Sequence, residues 1–207
     1  MSEGLSAEDV EFFRVYGAWA PRTPSDAAAL MAGYDGLWWI AGGWAIDVLT
    51  GGHRSHHDID LGVLRHDLPA LRTHLSGTLD IWAAFSGALK PLITGATLPP
   101  DTGNLWLRRD ATSLWEYDVL LSPGDERTWV YKRDPTLTMP MSDAIVVHDG
   151  VRYLRAEIQL LYKARAGRAQ DEADFVAALP LLSPASRGWL TEALERTEPG
   201  HPWLARL

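Results

Sequence analysis

Asp58 and Asp60 stand two residues apart in the segment Arg54-Ser55-His56-His57-Asp58-Ile59-Asp60-Leu61. The apolar run from Ile59 to Leu64 predicts a strand, and side chains at i and i+2 of a strand leave by the same face. Both carboxylates can therefore aim at one point. Two carboxylates so close repel each other, and a divalent cation relieves that repulsion. Hard oxygen donors in a chain without cysteine suit Mg²⁺ or Mn²⁺. Taken alone, Asp-x-Asp is more often a solvated strand edge or turn. A third carboxylate is needed for a two-metal centre, and Asp118 is the candidate, inside Leu114-Trp115-Glu116-Tyr117-Asp118-Val119-Leu120-Leu121. It shares its parity with Glu116 and Leu120, while Tyr117, Val119 and Leu121 point the other way. A mid-strand carboxylate among apolar neighbours is costly to bury without a partner. A metal would serve as that partner; so would an arginine. Glu116 is the rival for the same role.

These residues need elements to hold them. Leu37 to Ala41 reads as a short buried strand that ends at Gly42-Gly43, and Trp44 to Leu49 as the helix leaving that turn. Glycines there let the backbone approach a phosphate, and a helix N-terminus offers N–H donors and a favourable dipole. An ordinary strand-to-helix turn reads the same way. Upstream, helices are predicted over Ser6 to Tyr16 and, opened by Pro24, through Tyr34. A helix from Leu68 to Leu75 follows the Asp-x-Asp strand, with Asp67 as its cap. Strands are then predicted over Asp80 to Phe85, Leu105 to Arg109, Trp115 to Leu121 and Thr128 to Lys132. Asp149-Gly150 predicts a hairpin between Asp143 to His148 and Val151 to Leu154. From Ala156 the pattern is helical: Glu157 to Arg165, Gln170 to Ala178 and Pro184 to Arg196. The expected organisation is a mixed α/β unit over residues 1–154 and a C-terminal helical subdomain over 155–207.

The composition narrows the field. In 207 residues, 27 acidic against 19 basic side chains leave a charge of −8, which argues against a broad nucleic-acid footprint and favours a cationic or metal-bound ligand. The absence of cysteine excludes disulfides, thiol nucleophiles and cysteine-ligated metals. No apolar run reaches a membrane span's length, and the acidic N-terminus lacks a signal peptide's layout, so a cytoplasmic protein without membrane contact is expected. Of the ten tryptophans, Trp38, Trp39, Trp106 and Trp115 lie in strand-like runs. They read as core side chains, with an aromatic-walled cleft as the alternative.

The block Trp39-Ile-Ala-Gly-Gly-Trp-Ala-Ile-Asp47, followed by Arg54-x-His56-x-Asp58-Ile-Asp60, resembles the signature of the aminoglycoside and lincosamide nucleotidyltransferases, within the polymerase-beta-like superfamily. The resemblance covers about residues 38–63 and extends more loosely to Leu121. Leu160 to Phe175 is similar to a helical segment of related nucleotidyltransferases, a group that includes abortive-infection toxins. The resemblance implies a nucleotidyltransferase fold, a mixed β-sheet flanked by helices and followed by a helical subdomain. It also implies transfer of a nucleoside monophosphate from an NTP, ATP foremost, to a hydroxyl of a small acceptor of the aminoglycoside-antibiotic type. Gly42 and Gly43 would hold the nucleotide's phosphates; Asp58, Asp60 and Asp118 would bind the metals, with Asp118 as base. His56 would support the loop or a phosphate. Lys163 would reach the triphosphate or brace the interface between the two parts. Arg54 matches phosphate geometry, or pairs with a surface acid. Lys163, Asp171 and Asp174 also read as an interhelix ion-pair set. Three departures stand out: Trp44 where many relatives have Ser, Gln170 where Lys is usual, and a long stretch from Asp60 to Asp118. Two alternatives remain open: an RNA-modifying transferase using Arg152, Arg155, Lys163, Arg165 and Arg168, and a silent nucleotide-binding module. A monomer or homodimer is expected.

Overall fold

The computed structural model describes residues 7–52 and 55–207. Ten strands and eight α-helices are present among them. In chain order they are α1 (Ala7–Tyr16), α2 (Pro24–Leu30), β1 (Trp38–Ile40), α3 (Gly42–Thr50), β2 (Asp60–Leu64), α4 (Leu68–Leu75), β3 (Asp80–Phe85), β4 (Ala88–Pro91), β5 (Asn104–Arg108) and β6 (Tyr117–Ser122). There follow β7 (Thr128–Val130), β8 (Thr138–Pro140), α5 (Met141–Ala144), β9 (Ile145–His148), β10 (Val151–Leu154), α6 (Ala156–Ala164), α7 (Ala169–Ala178) and α8 (Pro184–Thr197).

Eight strands form one mixed sheet in the order β4-β3-β5-β6-β2-β1-β10-β9, and β7 and β8 form a separate ribbon. Two neighbouring pairs, β2 with β6 and β1 with β10, run parallel; the others are antiparallel. The hairpin at Asp149-Gly150 forms with both residues at positive φ, 49° and 77°. Those are the values a two-residue primed turn requires.

Strand alternation sorts the core into two clusters. Ile40, Leu61, Val63, Leu105, Leu107 and Val119 join α4 in one. Trp39 and Leu64 join α5, α6, α7 and α8 in the other, which runs without interruption from Trp39 to Trp203. The flat packing of Trp39 across β2 depends on Gly62, where a Cβ would sit 2.1 Å from the indole Cε2.

Most predicted elements appear within a few residues. The second helix stops at Leu30, because Gly33 takes φ +79° and the chain turns. Strand β6 starts at Tyr117: Trp115 instead bridges Trp19, and its indole donates to the Tyr16 carbonyl. Strands β4 and β8 and helix α5 were not predicted, being only three or four residues each. Ser6, the predicted cap of the first helix, lies outside the described residues.

Candidate functional site

Asp60 opens β2, and in the parallel ladder its partner on β6 is Asp118. Adjacent strands lie about 4.8 Å apart, so equal register places the two carboxylates side by side on one face. That face carries the C-terminal helices, since Leu64 and Leu120 share its parity and pack into their cluster. Asp58 precedes the strand and is exposed, but its charge acts on both Asp60 and Asp118. Among the described residues, the oxygens of Asp58, Asp60 and Asp118 do not all come within 4.8 Å of one another. The group that does is His66, Asp67 and Glu126, beyond the far end of β2.

The electrostatics of the aspartate pair are unfavourable to two free carboxylates. Burial first, then the Asp58 charge, pushes the Asp60 carboxyl up from 3.8 to about 7. Lys163, Arg168 and Lys132 pull it the other way. Asp118 is pushed well above the ordinary carboxylate range by burial and by the neighbouring Asp60. One Asp118 oxygen, Oδ2, accepts a hydrogen bond of 3.0 Å from Asn104 Nδ2. The other, Oδ1, is buried and has no hydrogen-bond partner. A buried lone carboxylate oxygen beside a second carboxylate is a donor set that a hard divalent cation fits. Glu116 is occupied elsewhere, in a half-buried pair with Arg22.

The glycine corner is built around Asp60. Gly42 and Gly43 form the first turn of α3 rather than a separate turn before it, with Ala41 as the N-cap residue. Gly42 has φ +65°, and a Cβ on it would lie 1.9 Å from Asp60 Oδ2. Glycine is therefore required twice over, by conformation and by contact. Its amide differs from expectation: it donates to Gln159 Oε1 at 2.9 Å, a buried acceptor on α6, and so is turned inward instead of toward a phosphate. The Ala41 amide donates to the Asp60 carbonyl at 2.9 Å, which locks the corner to β2.

His56 is buried in the loop before β2. Its Nε2 lies 2.7 Å from Asp47 Oδ2 on α3, and its ring stacks on Trp44 at 4.3 Å and 24°. These contacts pin the loop to α3 and show what the unusual Trp44 does. Arg54 lies outside the described residues. Lys163 is buried, with Nζ 3.0 Å from Asp171 Oδ1 and 2.8 Å from Asp174 Oδ2. Arg168 adds a second cation on Asp171 through Nε at 2.9 Å. The expected ion-pair set is thus real, and Lys163 acts on Asp60 through its field.

Sequence reasoning missed Asn104 and Gln159. Asn104 begins β5 and pairs with Leu120; parity groups it with Trp106, and the register of β5 on β6 sets both on the Asp118 face. Gln159 gave no such signal, since only the tertiary packing of α6 on α3 brings it to Gly42.

The family model for aminoglycoside-2''-adenylyltransferase matches residues 26–79, the stretch from α2 to the end of α4 that holds the glycine corner and the Asp-x-Asp strand. Among solved structures, a lincomycin-bound lincosamide antibiotic adenylyltransferase, LnuA, superposes with TM-score 0.54 at 16% identity, covering 80% of this chain and 99% of that one. The fold is that of the antibiotic nucleotidyltransferases. ANT(2'')-Ia, with adenylyl-2''-tobramycin, shares this antibiotic-nucleotidyltransferase fold at TM-score 0.53 and 14% identity, over 81% of this chain and 92% of its own. Its solution structure gives TM-score 0.52 at 17% identity, over 81% and 86%. No curated protein matches the chain. Among the described residues, no helix is long and apolar enough to cross a membrane.

Proposed function

We propose that this protein is a metal-dependent nucleotidyltransferase that moves a nucleoside monophosphate from an NTP, ATP foremost, to a hydroxyl of a small antibiotic-like molecule. The observation that carries the proposal is the Asp60–Asp118 pair on adjacent parallel strands, one oxygen of which is buried without a partner. Both other relevant facts agree with it: the family match over the glycine corner, and the fold shared with antibiotic adenylyltransferases.

In this reading Asp58, Asp60 and Asp118 would hold Mg²⁺ or Mn²⁺, which would offset the triphosphate charge and make the acceptor hydroxyl more acidic. Asp118 takes the hydroxyl proton as general base, and Asn104 fixes its carboxylate for that task. The acceptor oxygen bonds to the α-phosphorus as the bond to the bridging oxygen of the β-phosphate breaks. Pyrophosphate leaves with that electron pair. The N-terminal turn of α3, at Gly43 and beyond, faces the phosphates with its N–H groups and dipole. The pinned loop of His56 borders the same phosphates in this reading. Lys163 and Arg168 supply fixed positive potential from behind. Most of the acceleration is alignment and electrostatics, as in phosphoryl transfer generally.

The test is mass spectrometry of candidate acceptors incubated with the protein, ATP and Mg²⁺. The expected product carries one added AMP, with pyrophosphate released in equal amount, and both disappear in Asp60→Asn and Asp118→Asn. Transfer that survives either substitution would overturn the assignment.

A further inference from the structure

The sheet register continues past the aspartates. Asp118 pairs with Trp106 on β5, and Trp106 with Trp82 on β3, so Asp60, Asp118, Trp106 and Trp82 form one lateral row across four strands. The glycine corner lies at the Asp60 end of this row. At the other side of Asp118 a cavity of about 310 Å³ opens, with Asp118 and Asn104 in its wall. Phe12, Tyr16, Phe85 and Trp106 supply its aromatic lining. Helix α1 forms one wall of it through Phe12 and Tyr16. Phe12 and Tyr16 lie 5.8 and 5.9 Å from Trp106 between ring centroids, and the Tyr16 hydroxyl donates to the Gly87 carbonyl at 3.0 Å. That hydrogen bond ties α1 to the β3–β4 turn, where Ser86 and Gly87 both take positive φ.

We propose that this cavity is the acceptor subsite, and that it selects an uncharged or singly charged molecule with a flat apolar ring beside its reactive hydroxyl, in preference to a polycation. The proposal rests on the transferase reading above and narrows its substrate class. Three features carry it. The position is right, because the cavity meets the aspartate pair on the side of Asp118, away from the corner assigned to the phosphates. Its volume suits one small molecule or one ring system of a larger one. Its chemistry is selective: among the described residues of the lining there is one carboxylate, Asp118. Each ammonium desolvated against aromatic and aliphatic walls without a carboxylate is penalised, whereas an apolar ring gains stacking and burial there. The chain's overall charge of −8 attracts cations at a distance, but among the described lining residues Asp118 alone offers a carboxylate to pair with one.

The test compares two probes on the full chain: 4-nitrophenyl β-D-glucopyranoside, neutral and aromatic with free hydroxyls, and tobramycin, a polycation. Binding is read by tryptophan fluorescence and calorimetry in the presence of Mg²⁺ and a non-hydrolysable ATP analogue, whose own binding is measured first. The expected result is saturable binding of the glucoside at least tenfold tighter than tobramycin. Phe12→Ala should weaken it fivefold or more, and Phe12→Tyr, which keeps a ring on this half-exposed position, should restore it. Tighter binding of tobramycin, indifference to Phe12→Ala, or no binding of the glucoside by protein that binds the nucleotide overturns the proposal. Loss of nucleotide affinity in Phe12→Ala, restored by Phe12→Tyr, would make the cavity a nucleobase pocket and also overturn it. Failure of the nucleotide to bind, with the glucoside still bound through Phe12, would defeat the transferase reading and leave the ring selectivity standing.

Discussion

Asp60→Asn separates what the aspartate pair costs the fold from what it does for the reaction. In the folded chain the Asp60 carboxyl is raised from 3.8 to about 7 by burial and the charge of Asp58. At about 1.4 kcal/mol per pH unit, the full cost of ionising it in the fold is about 4 kcal/mol. The side chain is only partly buried, and solvent screening reduces the figure to roughly 2–3 kcal/mol. The sign follows from proton counting. Between about pH 4 and 7 the folded chain retains a proton that the unfolded chain has released, so this group makes stability fall as pH rises through that window. Asn is nearly isosteric and has no charge to lose. In EDTA at pH 8, Asp60→Asn should therefore be more stable than the parent by roughly 2–3 kcal/mol, or about 5–10 °C in melting temperature for a chain of this size. At pH 5 the advantage should shrink to about 1 kcal/mol, because the parent is then largely protonated at this site. Addition of Mg²⁺ and ATP should stabilise the parent and leave the variant unchanged, while nucleotidyl transfer is abolished. Urea melts at both pH values provide the measurement. A variant no more stable than the parent at pH 8 without metal, or an advantage that does not shrink on acidification, would refute the reasoning.

Gly42→Ala places a methyl group against Asp60 Oδ2 at a backbone conformation that L residues avoid; it should destabilise the chain by about 1–3 kcal/mol and reduce transfer by more than 100-fold, checked by denaturant melts and pyrophosphate release. Lys163→Met removes the buried ammonium that Asp171 and Asp174 share, and should cost about 3 kcal/mol in the same melts. Because Arg168 still pairs with Asp171, adding Asp174→Asn to that variant should recover a good part of the loss. His56→Phe keeps the stack on Trp44 but loses the bond to Asp47; it should raise the KM for nucleotide severalfold with a smaller change in kcat, as steady-state kinetics would show.

What could be read from the sequence was what a single strand or turn decides. The set of Tyr117, Val119 and Leu121 opposite Asp118 and the Asp149-Gly150 hairpin follow from period two and from turn stereochemistry alone, whereas Asp58, expected to share a strand face with Asp60, lies before β2. Legibility stopped where two distant segments must meet. The sequence offered Glu116 and Asp118 on equal parity, and only the strand order shows that Glu116 turns to Arg22 while Asp118 stands in register with Asp60. The same limit explains the amide of Gly42, whose inward direction depends on Gln159, 117 residues away. It also explains the tryptophans, which sequence alone left divided between core and cleft. Trp39 and Trp115 are core. Trp106 is half-buried and lines the cleft, with Asp118 rather than another apolar side chain as its neighbour on β6. A sheet that sets carboxylates beside an aromatic wall gives up burial and charge neutrality at the same row. The raised carboxyls of Asp60 and Asp118 are the measure of that concession. A metal ion on one side and a ring-bearing acceptor on the other would relieve both parts of it at once.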